Sequence, residues 1–185
     1  MKLISMLPAL AGLVVLAGCD TPTPSVLSLE PVATDQEAGI DAGLIGAWDT
    51  GGSSDEVCVI RRNSDENGDH GYRITHLGGD SQMAFEASLF SVGSARFLDL
   101  APANDDDFHL GGHAIVRIWP EGSGLRWAFL DSDWFKQQAA SVLANHTSEK
   151  KMMLLAPGPT VRLFIAKYGA DDRAYGKVAT WQRVQ

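Results

Sequence analysis

The chain predicts a mainly β domain: an up-and-down antiparallel β-barrel with two α-helices inserted before its last strand. Three observations carry that prediction. Strict apolar alternation broken by turn residues runs from about residue 44 to 131, the spacing then becomes helical, and alternation returns at the end. A meander whose two ends are both strands removes its exposed edges most simply by closing on itself.

Taken in order, residues 44–49 make the first strand, and residues 57–62 and 72–77 flank an Asn67-Gly68 turn. Met83, Phe85, Ala87 and Leu89 share one face of the next strand, and Gly93-Ser94 suits a tight hairpin into residues 96–100. Residues 113–119 and 125–131 repeat the device across Glu121-Gly122-Ser123-Gly124. Beyond Asp133 the apolar positions Phe135, Ala139, Val142, Leu143 and His146 favour one side of a helix, with Ser132 or Asp133 as N-cap. A second helix places Val161, Phe164, Ile165 and Tyr168 at i, i+3, i+4 and i+7, with Thr160 as its cap and Gly169 as its stop. Residues 178–184 then form a last strand able to pair with the first.

The organisation upstream is of a different kind. Residues 3–17 are a short apolar run behind Lys2, ending in Leu16-Ala17-Gly18-Cys19. Pro8, Gly12 and Gly18 interrupt it, and it is shorter than the roughly 20 apolar residues that span a bilayer core. It reads as a secretory signal, and the four residues at its exit resemble the lipobox of bacterial lipoproteins. That resemblance implies a signal peptide over residues 1–18 and lipidation of Cys19, which becomes the first residue of the mature protein. It also implies a membrane-held cell-envelope protein with a periplasm-facing domain. Two or more acyl chains hold a protein on a bilayer durably, each buried CH₂ contributing about 0.8 kcal/mol. Asp20 resembles the inner-membrane retention signal of enteric bacteria. Residues 19–40, with Pro22, Pro24 and Pro31 and no apolar period, make an acylated start and flexible tether, and residues 41–185 make the domain.

Charge narrows the partners. The net charge is −8, and loss of Lys2 with the signal takes it to 14 minus 23, or −9. Such a surface repels nucleic acid and anionic lipid, which excludes nucleic acid as a partner. With Cys19 acylated, Cys58 has no intramolecular partner, and its neighbours Val57, Val59 and Ile60 make it a strand-core thiol.

Gly46-Ala47-Trp48 on the first strand resembles the Gly-x-Trp opening of lipocalins and related calycins, and Arg183 stands where that family places an arginine over the tryptophan. The resemblance implies a lipocalin-like barrel for a small apolar ligand. It covers the strand order and those residues, and the two helices before the last strand depart from it.

Other candidate sites are weaker. Asp49-Thr50-Gly51 resembles the aspartic-protease loop, a chemistry that needs a second carboxylate about 3 Å away and therefore a dimer; a strand-ending turn uses the same residues. His109 and His113 would share a metal on a helix, but Gly111 and Gly112 lie between them, and along a strand they stand about 13 Å apart. Asp65, Asn67 and Asp69 have calcium-loop spacing that His70 and His76 break at the positions needing glycine and glutamate. Residues 104–107 read as a solvated acidic tip. Trp48, Trp119, Trp127, Trp134 and Trp181 suit either a cavity wall or a packed core. No nucleophile elbow, phosphate loop, Cys-x₂-Cys pair or zinc-protease helix occurs.

The sequence thus leads to the expectation of a membrane-anchored, non-catalytic binding domain without metal or cofactor, for a small apolar ligand. A protein-interaction or hydrolase-inhibitor module for an envelope partner is the alternative, and a dimeric aspartic protease through Asp49 the remote one.

Overall fold

The computed structural model describes residues 22–34, 39–51, 56–65, 68–78, 81–103, 112–139, 143–147 and 151–185. The signal segment, Cys19, Asp20, Asn67, residues 104–107, His109 and Val142 lie outside them. Among the described residues, eleven strands form one sheet. The barrel strands are β2 (Gly46–Asp49), β3 (Val57–Asp65), β4 (Gly68–Gly78), β5 (Ser81–Val92), β6 (Ala95–Pro102), β7 (His113–Glu121), β8 (Gly124–Phe129) and β11 (Ala179–Arg183). They meander in antiparallel order and close where β11 returns to β2, Arg183 facing Trp48. The predicted fold class is the observed one.

Alternation decides which side chains face inward. Tyr72 and Ile74 on β4, Ala87 and Leu89 on β5, Leu98 on β6, Val116 and Ile118 on β7 and Trp127 on β8 join one interior cluster. The intervening residues Phe90, Phe97, Ile115 and Ala128 point outward into a second cluster, which the helices cover. The hairpins predicted at Gly93-Ser94 and after Glu121 are present: Val92 pairs with Ala95 and Glu121 with Gly124, with Gly93 and Gly122 at φ 59°.

The helices are α1 (Ser132–Ala139) and α2 (Gly158–Tyr168). Both differ from expectation at their starts. The cap of α1 is Asp131, whose carboxylate accepts from Trp134 N at 2.8 Å, one residue before the predicted Ser132 or Asp133. The described part of α1 runs to Ala139, and His146 belongs to β9 (Asn145–Thr147). In α2, Pro157 is the cap residue and Thr160 lies inside the first turn, because Pro159 tolerates the unbonded positions at a helix start. Its predicted face is the buried one: Val161, Phe164 and Ile165 are sealed against the barrel, and Gly169 ends the helix.

Two strands went unforeseen on the flank of β7: β1 (Val26–Ser28) and β10 (Met152–Leu154), which pair in parallel. Pairing between β8 and β7 reaches only to Phe129 and Val116. The rest of that edge is taken by β1, with Leu27 facing Ala114 and Ser28 facing His113. The segment expected as a tether over 19–40 is therefore docked over part of its length. Val26 and Val32 are buried, and the buried Asp99 carboxylate accepts from Val32 N at 2.6 Å and Ala33 N at 2.9 Å while meeting His113 Nδ1 at 2.7 Å. Three partners on one carboxylate offset the cost of burying it. No helix among the described residues is long and apolar enough to cross a membrane.

Candidate functional site

One end of the barrel is closed by the chain entering it. Residues 42–44 form a 3₁₀ turn capped by Asp41, whose Oδ1 accepts from Gly43 N at 2.7 Å and whose Oδ2 binds Arg96 at 2.6 Å. The Arg96 guanidinium, then the Gly43 N–H, hold the Asp41 carboxyl below its ordinary range. Asp41 N donates to the Tyr72 hydroxyl at 2.6 Å, and Leu44 plugs the interior.

Trp48 stands above this plug. Its indole N–H donates to Leu44 O at 3.0 Å, and Arg183 lies across its ring with Cζ 4.6 Å from the centroid. The same guanidinium donates to Ile45 O at 2.8 Å and to Gly43 O. Gly46 is a glycine for two reasons: φ is 148°, and a Cβ there would come within 2.5 Å of Arg183 Nη1. The residues singled out for their lipocalin resemblance thus form one contact group.

Above the plug the barrel is hollow. A cavity of about 580 Å³ runs to the other end, bounded by Ile60, Ile74, Leu98, Val116, Leu125 and Trp127 and rimmed by Phe85, Leu100 and Phe129. Its size falls within the range of small-molecule sites. Small inward side chains leave the space: Ala114, Val116 and Ala179 line it where larger residues would fill it. Polar groups gather towards the mouth, where Thr50, Glu56, His76 and Lys177 stand. Trp127 packs edge-on against Trp181 and Phe129, with ring centroids 5.1 Å and 5.3 Å away.

Only Trp127 and Trp181 of the five tryptophans line this cavity. Trp119 packs outside against Tyr175 and Arg117, and Trp134 lies among Phe135, Phe164 and Tyr168. Inward Cys58 borders the cavity, and burial pushes its thiol up to about 12. The residues nobody would single out by type, Ala114, Val116 and Ala179, matter most to the site's shape. Their signal in the sequence is smallness at inward positions.

The chemical candidates separate. Asp49 is exposed, and its Oδ1 accepts from Gly51 N at 2.8 Å, so this triplet makes an Asx turn at the end of β2. His113 is engaged by Asp99, while its proposed partner His109 lies outside the described residues. Asp65 and Asp69 sit in paired strands, with Asp65 facing Gly68 and Ser64 facing Asp69. Among the described residues no three of His, Cys, Asp and Glu gather closely enough to hold a metal ion.

No protein-family model matches the chain, and no curated protein and no solved structure matches it either.

Proposed function

We propose that this is a cell-envelope lipoprotein, acylated at Cys19, whose barrel holds a small apolar ligand and performs no chemistry on it. The observation that carries the binding half is the apolar cavity of about 580 Å³ above the Leu44–Trp48 plug. A void of that size forgoes packing contacts that a filled core would make, so filling it with a matched apolar molecule is favourable by about 25 cal/mol per Å² of apolar surface removed from water. The anchoring half rests on the Leu16-Ala17-Gly18-Cys19 exit, and Asp20 favours the inner membrane.

Two measurements test the two halves separately. Titration of the soluble domain with a fluorescent fatty-acid probe should saturate at one site per chain. Val116→Phe, which places a ring in the cavity, should weaken that binding at least tenfold and leave the unfolding midpoint unchanged or raised. Unaltered probe affinity in this variant counts against the cavity as the site. For the anchor, Cys19→Ala should move the protein from the membrane to the soluble fraction, and retention on membranes would contradict acylation there.

A further inference from the structure

The open end of the barrel carries part of the chain's own beginning. Pro22, Thr23 and Pro24 form part of the cavity wall beside Thr50, Phe129 and Lys177. Ser25 fixes this strap: its hydroxyl donates to Leu130 O at 3.2 Å and accepts from Ser132 N at 3.2 Å, and its carbonyl accepts from Met152 N at 2.8 Å. Cys19 precedes Pro22 by three residues, at most about 11 Å of extended chain. An acyl anchor on Cys19 is thereby tied close to the mouth and far from the plugged end.

A second observation points the same way. Among the described residues, the exposed large apolar side chains are Leu29, Leu77, Met83, Leu155, Leu163, Val178 and Val184. Leu77 lies one residue before the end of β4, Met83 is the third residue of β5 and Val178 precedes β11, all at the mouth. β1 and β10 run in parallel towards the same end, since Ser28 faces His113 at the start of β7, and Leu29 and Leu155 follow their last residues. Five of the seven therefore project at the mouth end. Single exposed apolar residues are ordinary, but five at the end of the barrel from which the chain leads back to Cys19 suit an interface with lipid.

We infer that the barrel sits mouth-down on the leaflet that anchors Cys19, and that its cavity exchanges an acyl chain directly with that leaflet. This rests on the carrier reading above and names both its ligand class and its route of loading. The strap sets the geometry, and the apolar rim lets a chain pass from bilayer to cavity without crossing water. Without Lys2 the balance of 14 minus 23, a net charge of −9, disfavours anionic lipid, so the matching surface is zwitterionic.

The test uses full-length acylated protein in phosphatidylcholine vesicles whose acyl chains carry bromine, a contact quencher of tryptophan. Quenching of Trp127 and Trp181 reports loading, and Trp127→Phe with Trp181→Phe should remove it. A Gly-Ser insert of about 20 residues after Asp20 adds a flexible reach of about 25 Å and should slow quenching at least tenfold. In parallel, soluble Cys19→Ser protein with and without the insert is titrated with a brominated fatty acid, and both should be quenched equally. Equal quenching rates for the two anchored proteins would overturn loading from the leaflet and leave the carrier reading standing. Absence of quenching by the brominated fatty acid in solution would overturn the carrier reading, and loading with it.

Discussion

The guanidinium of Arg183, on the last strand, covers the face of Trp48, on the first barrel strand, with Cζ 4.6 Å from the ring centroid. This contact lies at the seam where the barrel closes, because β11 and β2 pair there through Arg183 and Trp48 themselves. One side chain ties seam, plug and tryptophan together through the Ile45 and Gly43 carbonyls.

Arg183→Ala should therefore lower stability by about 2–3 kcal/mol, through lost charge-assisted hydrogen bonds and cation–π contact. Arg183→Lys should recover only part of this, since an ammonium cannot reproduce the planar fork. Urea unfolding checks both, and a lysine variant as stable as the parent would refute the forked geometry.

Asp99→Ala should detach the front of the chain. Val32 and Ala33 would keep buried or half-buried N–H groups without an acceptor, at about 1–3 kcal/mol. Limited proteolysis should then cut within residues 22–40 well before the barrel is attacked. Unchanged resistance there would show that the carboxylate is dispensable for docking.

Cys58 should resist thiol reagents in the folded protein. Its thiol is raised from an ordinary 9.0 to about 12 by burial, so the reactive thiolate is about a thousandfold rarer near neutral pH. In a Cys19→Ser background, labelling at about pH 8 should be at least a hundredfold slower than in urea. The sign of the linked pH effect follows: the neutral thiol is favoured by folding, so its contribution is full below about pH 9 and is lost as pH rises towards 12. Relative to Cys58→Val, the parent protein should weaken in that alkaline window.

Asp41 should act in the acid range with the opposite sign. Its carboxyl is held below the ordinary 3.8 by Arg96 and by Gly43 N, so its contribution is present above that value and disappears as pH falls through the lower folded one. The pair is partly solvated, which limits it to about 1 kcal/mol or less. The stability gap between parent and Asp41→Asn should narrow in urea titrations as pH falls through 3.8 and below it.

Much of this architecture is legible in one dimension, for physical reasons. Met83, Phe85, Ala87 and Leu89 announce their strand because a half-buried sheet enforces a period of two. Gly93 and Gly122 announce their hairpins because the turns need positive φ. β1 and β10 are three residues each, too short to show a period, and β1 lies in a proline-rich stretch that composition alone marks as a tether. The cap of α1 falls one residue before Ser132 because Asp131, Ser132 and Asp133 are all competent and only packing selects among them, and that of α2 falls three residues before Thr160 because Pro159 is tolerated in its first turn. The hollow interior is the hardest property to read, since a filled barrel and an empty one share the same alternation. Ala114 and Ala179 distinguish the two only once their inward direction is known.

The pairing of Val26–Ser28 with Met152–Leu154 has a temporal side. The front strand emerges first during synthesis, yet the neighbour that secures its outer edge, Met152–Leu154, comes more than a hundred residues later. Until that late segment arrives, the outer edge of β1 is unpaired and the Ser25 carbonyl lacks its Met152 N–H partner. Closure of such a distant contact is slow compared with hairpin formation. The front strand therefore lacks its outer partner for most of the protein's assembly, and a product truncated before Met152 would be left with an unsealed flank.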